Sequence, residues 1–262
     1  MNSKIAILGG GNLGQAIASG LISDHFKPSN IVITRHKTDL LKSFKEQGVV
    51  ITSNNIEAVK NADTIIIAVK PYKISEVLKE VAPEISSNKL LISVVSDFSI
   101  EQIKAQLQFD PVIYRAMPNT AASVNESITC IASNTSDDES TTNVKRIFNA
   151  LGETIVINEQ LMDAATVLGA CGIAYVLRFI RGMIQGGIEI GFDAHTATQI
   201  ATQTVKGASE LLLQKGNHPE AEIDKVTTPK GCTIAGLNEM EHQGFSSALI
   251  KGIKTSYDNI SK

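Results

Sequence analysis

Short apolar runs alternate with stretches of helical periodicity through the first 157 residues. The runs are rich in Ile and Val and nearly continuous, which is typical of parallel strands covered by helices on both faces. Strands are predicted at 4–9, 30–35, 49–52, 64–69, 90–96, 112–117, 127–134 and 152–158. Helices are predicted between them at 13–23, 39–47, 56–60, 74–82, 99–107 and 136–151. This order predicts an α/β fold with a doubly wound N-terminal sheet.

The pattern changes after Asn158, where no further strand-like run follows. Helices are predicted at 160–168, 173–190, 193–213 and 233–256. Three glycines near the end of the second helix, Gly186, Gly187 and Gly191, would each weaken an isolated helix by about 1 kcal/mol. Packing against other helices or another subunit must therefore stabilise it. We expect two domains, 1–158 and 159–262, the second all-helical and forming an obligate homodimer.

Composition and charge narrow the class of protein. Of the 262 residues 43% are apolar, and 24 basic against 27 acidic residues leave a net charge of -3. This balance argues against nucleic-acid binding and favours a small-molecule partner. The N-terminal apolar run is too short for a secretory signal, and the run 164–177 is shorter than the roughly 20 residues that cross a membrane. We expect a cytoplasmic protein that does not bind membranes.

Cysteine and histidine spacing offers no metal site. The three cysteines, Cys130, Cys171 and Cys232, are widely separated and odd in number, which fits reduced thiols rather than a disulfide framework. Neither CxxC nor HExxH occurs, so we expect no metal.

The segment "GGGNLG" places Gly9, Gly11 and Gly14 in GxGxxG register between the first strand and the first helix. The first glycine permits a tight turn, the second lets the backbone approach a pyrophosphate, and the third lets the helix pack on the strand. Asn12 and Leu13 then offer backbone N–H groups to phosphates. A glycine-rich turn without a ligand is the alternative, but the strand-helix-strand context favours a Rossmann-type dinucleotide site.

The end of the second strand carries basic rather than acidic residues. An acidic side chain there would hydrogen-bond the ribose of NAD, whereas the sequence has Arg35, followed by His36 and Lys37. An arginine suits a 2′-phosphate, so NADPH is the expected cofactor, with NADH possible. The alternative is a solvated basic cluster on a loop.

Further cofactor contacts are expected where other strands end. Asn55 is either a helix N-cap or a cofactor contact. The fourth strand ends in "AVKP", in which Lys70 faces either the cofactor or solvent. The residues expected on this rim are Ala68, Val69, Lys70 and Pro71 after the fourth strand, and Val95 and Ser96 after the fifth.

Several segments together resemble pyrroline-5-carboxylate reductases. They are "ILGGGNLGQAIASGL", "AVKP", "RAMPNTAASVNES", "DAATVLGACGIAYV", "GASELL" and "VTTPKGCTIAGL", and they cover nearly the whole chain. The resemblance implies NAD(P)H-dependent reduction of the cyclic imine 1-pyrroline-5-carboxylate to L-proline, the last step of proline biosynthesis. It also implies helical domains that interlock in a dimer, often within a larger ring.

The resemblance also implies roles for residues outside the glycine loop. Gly231, Cys232 and Thr233 would bind the substrate carboxylate through backbone N–H groups and a hydroxyl, Thr233 also capping the helix. Thr166 would orient the imine nitrogen, although a threonine bonded to its own helix is equally ordinary. Asn119 would lie near the nicotinamide, the alternative being a turn-forming asparagine after proline. We therefore predict Thr166 and Thr233 as catalytic residues.

Two segments depart from the family pattern. "GACGI" (169–173) stands where the family has Ser-Gly-Ser-Gly-Pro, and Lys230 replaces the first glycine of a Pro-Gly-Gly loop. If the φ angle of Lys230 is positive, the strain costs about 1 to 3 kcal/mol. Alternatively, its ammonium adds charge near the carboxylate.

Three other functions compete. A β-hydroxyacid-dehydrogenase-like reductase would need a catalytic lysine inside a helix, for which Lys206 lacks an obvious polar partner. A non-catalytic NADPH-binding regulatory homologue is suggested by the two altered segments. A nucleophilic Cys232 would need a histidine base that the sequence does not identify.

Overall fold

The computed structural model describes residues 3–260, which divide into two compact units, residues 3–171 and 172–260. Residues 159–171, which the sequence assigned to the second domain, pack with the first unit. Met162 is buried there against Met117 and Ala132. The compact units therefore divide later in the chain than the predicted domain boundary after Asn158.

The first unit is built on one eight-stranded sheet in the order β3-β2-β1-β4-β5-β6-β7-β8. All neighbours are parallel except β6 and β7. The strands are β1 Ile5–Leu8, β2 Ile31–Thr34, β3 Val50–Thr52, β4 Thr64–Ile67, β5 Leu90–Ser93, β6 Val112–Met117, β7 Ser127–Ser133 and β8 Gly152–Val156. The predicted doubly wound α/β sheet is confirmed. The strand order reverses between β1 and β4, and in such sheets ligands bind at this point, beyond the carboxyl ends of the strands.

Helices cover both faces of the sheet. They are α1 Asn12–Ser23, α2 Lys42–Glu46, α3 Asn55–Lys60, α4 Ile74–Val81, α5 Ile100–Lys104, α6 Asp138–Asn149 and α7 Met162–Ala165, with a π-helical segment at Thr166–Cys171. Helix starts follow local chemistry. Ser99 and Gln102 form a capping box at α5, and Asp137 caps α6 through the Ser140 N–H.

Two buried clusters hold the sheet between its helices. On one face, Ile17 and Leu21 of α1 and Phe148 of α6 pack against β-strand residues. On the other, Val59 of α3 and Leu78 of α4 do the same. All five side chains are fully buried, and burying each contributes about 1.5 to 3 kcal/mol to the folded state. These clusters fix the strand ends that carry the candidate site.

The second unit is helical, as predicted. Its helices are α8 Gly172–Glu189, α9 Ala194–Lys215, α10 Pro219–Lys225, α11 Cys232–His242 and α12 Phe245–Ile260. The single helix predicted at 233–256 is wrong, because Gly244 adopts a φ of +79° and separates α11 from α12. The helix α10 was not predicted; it is short, consists mostly of polar residues and has Pro219 in its first turn.

The second unit exposes many large apolar side chains when considered as a single chain. Leu177, Ile190 and Leu213 are 59%, 79% and 79% exposed. The stretch Glu159–Glu189 is long and apolar enough to cross a membrane by length and composition, and little of it is buried within the chain. The apolar run at 164–177, which was judged too short to cross a membrane, is only part of this longer stretch. Apolar surface exposed to this extent is typical of sites that contact another protein or a membrane.

Candidate functional site

A cleft of about 1080 Å³ runs along the carboxyl ends of β1, β2, β4, β5 and β6. With the exception of Gly14, the predicted cofactor residues all line it. They are Gly9, Gly11, Asn12, Leu13, Arg35, Asn55, Ala68, Val69, Lys70, Pro71, Val95, Ser96 and Asn119. The fold thus brings together residues that are far apart in the sequence.

The glycine loop occupies the middle of the cleft. Gly9 has a φ of +111°, and a Cβ there would lie 2.5 Å from the Ala68 carbonyl oxygen on the neighbouring β4 side. Gly14 lies beneath the loop, where a Cβ would lie 2.1 Å from the Gly9 carbonyl oxygen. Gly11 differs, because a Cβ there would meet nothing within 4 Å. The first and third glycines are thus needed by the loop itself, and the second leaves space on the cleft side.

The N-terminus of α1 opens onto this space. Gly11 is its N-cap residue and offers no side chain to the free N–H groups of the first turn. No acidic residue lies in that first turn. An anion near Asn12 and Leu13 would therefore meet unsatisfied N–H donors and the positive end of the helix dipole.

Arg35 is held against the glycine loop rather than extended into solvent. Its Nη1 donates to the Gly10 carbonyl oxygen at 2.5 Å, and Gln15 Nε2 donates to the same oxygen at 3.0 Å. His36 also lines the cleft, whereas the exposed Lys37 does not. The guanidinium therefore lies at the β2 end of the cleft, where the adenosine ribose of a dinucleotide lies in this fold.

Asn55 is the first residue of α3, and the N-cap is Asn54, which accepts from the Glu57 N–H at 3.0 Å. The N-cap alternative for Asn55 is therefore wrong. Its Nδ2 donates instead to Glu80 Oε2 at 2.8 Å, and both residues line the cleft.

Lys73 and Glu76 form an ion pair of 2.7 Å on the same rim. Their hydrogen bond raises the pKa of the lysine and lowers that of the glutamate, and the charge of His36 lowers the latter further. The carboxylate of Glu76 is thus offset by neighbouring positive charge, so it repels a nearby phosphate less than an unpaired carboxylate would.

The opposite end of the cleft, beyond β5 and β6, is lined by small and weakly polar residues. They are Val94, Val95, Ser96, Pro118, Asn119 and Ala170. Since the adenosine end lies at β2, this is the end for a nicotinamide ring. Lys70 lies between the two ends, lining the cleft while exposed to solvent.

Thr166 begins the π-helical segment and is 8% exposed. Its hydroxyl donates to the Met162 carbonyl oxygen at 2.8 Å, one turn back in the chain. This is the ordinary helix-bonded geometry, and the oxygen retains acceptor capacity.

The loop before α11 is a β-turn in which the Gly231 N–H donates to the Thr228 carbonyl oxygen at 2.9 Å. Pro229 and Lys230 occupy its central positions, and Lys230 has a φ of +61°. Lys230 therefore adopts the positive φ for which the sequence predicted a strain cost. The N-cap of α11 is Gly231, with Cys232 the first helical residue, so the predicted capping role of Thr233 is wrong. The helix α10 precedes this turn.

Replacing Lys230 with Gly raises the free energy of unfolding by about 0.5 kcal/mol. A side chain in the left-handed region costs about 1 kcal/mol, which the greater freedom of glycine in the unfolded chain partly offsets. Urea denaturation measures the change. Lys230→Ala is the matched control, because it removes the charge and keeps the Cβ. A gain in Lys230→Ala equal to that in Lys230→Gly assigns the effect to charge and contradicts backbone strain.

Three features of the cleft suit the phosphates of a dinucleotide. These are the open space at Gly11, the uncapped helix N-terminus and the arginine at the end of β2. Tyr72, Glu80 and Ala170 also line the cleft, although no sequence motif predicted them. Tyr72 directly follows Pro71 in the 3₁₀ turn Pro71–Lys73, whereas Glu80 and Ala170 reach the cleft only through the packing of α4 and the π-helical segment.

Comparison with known proteins places the chain among reductases. Residues 159–262 match the family model "Pyrroline-5-carboxylate reductase dimerisation", and residues 4–97 match "NADP oxidoreductase coenzyme F420-dependent". Pyrroline-5-carboxylate reductase 1 of Dictyostelium discoideum is 48% identical over 98% of this chain, which spans 49% of that protein's length. Pyrroline-5-carboxylate reductase 2 of the same organism is 43% identical, with coverage of 100% of this chain and 93% of the relative.

A solved structure shows the same fold with a cofactor. The pyrroline carboxylate reductase of Plasmodium falciparum, crystallised with NADP bound, is 28% identical. It superposes with a TM-score of 0.89 over 99% of this chain and 97% of that one.

Proposed function

Because the chain belongs to the pyrroline-5-carboxylate reductase family, we propose that it uses NADPH to reduce 1-pyrroline-5-carboxylate to L-proline. This is an oxidoreductase reaction that completes proline biosynthesis. NADH is the weaker alternative donor. The observation that carries the proposal is the continuous cleft from Arg35 at β2 to Asn119 at β6, with the glycine loop between them.

Different residues of the cleft bind different parts of the cofactor. The N–H groups of Asn12 and Leu13 bind the pyrophosphate, and Arg35 binds the 2′-phosphate. Asn55 and the strand-end residues of β4 and β5 line the path between the two ends. The bound cofactor supplies the hydride. The protein supplies position, since reacting atoms held at the right distance can account for several kcal/mol of the barrier.

The β5–β6 end needs no strong acid for this reaction. None of its lining side chains, which include Val95, Ser96 and Asn119, ionises near neutral pH. A cyclic imine is basic enough to arrive protonated, so the site has to orient it rather than protonate it. Thr166 orients the imine nitrogen in this proposal, through the acceptor capacity of its hydroxyl.

The substrate carboxylate is assigned to the N-terminus of α11. Its first N–H groups follow Gly231, which leaves them without a side-chain cap. The N–H groups of Cys232 and Thr233 bind the carboxylate, with the Thr233 hydroxyl as an added donor. The N–H of Gly231, which was also predicted to bind it, is engaged by the Thr228 carbonyl oxygen, so Gly231 contributes by leaving the helix N-terminus uncapped. Cys232 acts through its backbone, so its thiol takes no part in the chemistry.

Replacing Thr233 with Ala raises the KM for the imine about tenfold. One hydrogen bond to a charged group is lost, which is worth roughly 1.5 kcal/mol. Steady-state kinetics with the imine varied at saturating NADPH measure this effect. Thr227→Ala is the matched control, because the Thr227 hydroxyl donates to the Ile223 carbonyl oxygen at 2.7 Å. An unchanged KM for Thr233→Ala removes the hydroxyl from the site.

The match to a dimerisation family supports a homo-oligomer. The exposed apolar side chains of α8 and α9 meet a second copy of this chain rather than a membrane, and the dimers assemble further into rings in the cytoplasm. Sedimentation velocity of the purified protein distinguishes a monomer, a dimer and a larger ring.

The decisive experiment mixes the purified protein with NADPH and 1-pyrroline-5-carboxylate and follows cofactor absorbance at 340 nm, the region where reduced nicotinamide absorbs. Oxidation that depends on the imine, with proline as product, supports the proposal. Tight NADPH binding without oxidation favours the regulatory homologue instead. Oxidation with a β-hydroxyacid-type carbonyl substrate but none with the imine favours the other reductase class.

A further inference from the structure

We propose that Asn119 is a positioning residue that holds the π-helical segment Thr166–Cys171 against the nicotinamide end of the cleft. The segment is unusual, since π-helical turns are rare and occur often at functional sites. Wider turns shift the backbone carbonyl groups away from the ordinary helical positions. Their placement therefore depends on contacts from outside the helix.

Asn119 provides such a contact. It is 7% exposed and lies just after β6, where its own N–H donates to the Ser127 Oγ at 3.0 Å. Its side-chain Oδ1 accepts from the Ala121 N–H at 3.0 Å, and its Nδ2 donates to the Gly169 carbonyl oxygen at 3.2 Å. A backbone N–H can only donate and a carbonyl can only accept. The side-chain amide therefore has one orientation that serves both partners.

The two bonds join structures that are distant in the sequence. The bond to Ala121 caps the 3₁₀ turn Thr120–Val124, which packs on α1. The bond to Gly169 fixes the middle of the π-helical segment. Asn119 and Ala170, the residue after Gly169, both line the cleft, so the bond from Asn119 to Gly169 sets the width of its nicotinamide end. Gly169 has room for a Cβ, 3.7 Å from Ile128 Cγ2, so side-chain packing does not lock it in place.

The contact between Asn119 and Gly169 therefore serves to align the nicotinamide ring rather than to increase the affinity for the cofactor. Most of the affinity is expected to come from the phosphates, which bind at the glycine loop and at the β2 end of the cleft. Loss of the contact lowers kcat and leaves the Kd for NADPH nearly unchanged, because a small misplacement of reacting groups costs rate. This consequence rests on the proposed reductase activity, whereas the Asn119–Gly169 contact does not.

Asn119→Asp tests the contact. The introduced carboxylate still accepts from the Ala121 N–H but no longer donates to the Gly169 carbonyl oxygen. At pH 8 we expect kcat to fall at least tenfold, with the Kd for NADPH within threefold of wild type. Burial and the facing carbonyl raise the pKa of the introduced carboxyl, and the protonated form regains an O–H donor. The kcat of the variant relative to wild type therefore rises at least threefold between pH 8 and pH 5.5.

Asn125→Asp is the matched control. Asn125 ends the same 3₁₀ turn, is exposed and has a left-handed φ of +59° that aspartate tolerates. Its kcat relative to wild type stays constant across the same pH range. Hydrogen–deuterium exchange provides a second readout. At pH 8 we expect the backbone amides of residues 166–171 to exchange at least tenfold faster in Asn119→Asp than in wild type. In Asn125→Asp their exchange rate stays at the wild-type value.

A kcat within twofold of wild type at pH 8, or unchanged exchange of residues 166–171 in Asn119→Asp, overturns the proposal. If wild type does not reduce the imine, the proposed function fails and exchange alone decides the contact. If Asn119→Asp does not fold, Asn119→Ser replaces it. Its hydroxyl can cap the turn but is too short to reach Gly169, so the same loss of kcat and faster exchange are expected, without the recovery at low pH.

Discussion

Replacing Arg35 with Asp weakens NADPH binding about 100-fold and changes NADH binding less than about fivefold. The variant loses a charge-assisted hydrogen bond and places a carboxylate near the 2′-phosphate, which together cost roughly 2.7 kcal/mol. NADH lacks that phosphate. Its smaller loss comes from the contact between Arg35 and the Gly10 carbonyl oxygen, which holds the glycine loop.

Fluorescence titration of each reduced cofactor at fixed ionic strength measures both affinities. Salt must be fixed because phosphate contacts weaken as ionic strength rises. Lys37→Asp is the control, since Lys37 carries the same charge two residues further along the same loop but does not line the cleft. Equal losses of NADPH and NADH affinity in Arg35→Asp refute a specific role in binding the 2′-phosphate.

Two alanine substitutions in the glycine loop separate stability from cofactor binding. Gly14→Ala lowers the free energy of unfolding by about 3 kcal/mol or more, because its Cβ would lie 2.1 Å from the Gly9 carbonyl oxygen and both groups belong to the backbone. Cofactor binding falls as well, since the loop must move. Urea denaturation of the ligand-free protein measures the loss of stability.

Gly11→Ala changes the stability of the ligand-free protein by less than about 1 kcal/mol, since its Cβ meets open space and its φ of -76° suits any residue. NADPH affinity nevertheless falls at least tenfold, because the methyl group occupies the space for the pyrophosphate. A stable Gly14→Ala, or a Gly11→Ala with wild-type affinity, contradicts the division of roles between the two glycines.

The sheet was predictable because its signal is local. Most of the eight strands are apolar runs, and each observed strand lies within its predicted limits or matches them. The glycine loop was predictable for a related reason, since the requirements of a strand-to-helix turn are concentrated in adjacent residues. Among the helices, the errors fell where the local signal is weak, at the polar helix α10 and at the break at Gly244.

The hydrogen-bond partners of individual side chains could not be predicted from the sequence. Asn55 bonds Glu80, and Asn119 bonds the Gly169 carbonyl oxygen, 50 residues away in the chain. The sequence offered only a cap or a cofactor contact for Asn55, and a turn or a cofactor contact for Asn119. Each residue has several possible hydrogen-bond partners, and the packing of separate elements selects among them.

The sequence by itself determined the order of strands and helices along the chain up to residue 158, the position of the dinucleotide loop and the basic residue at the end of β2. Apolar periodicity and backbone geometry act over a few residues, so they can be recognised in the sequence alone. Only the tertiary structure decided that Arg35 lies on the glycine loop, that Gly11 borders open space and that Asn119 meets a π-helical segment. These are distances between elements, and they exist only once the core has packed.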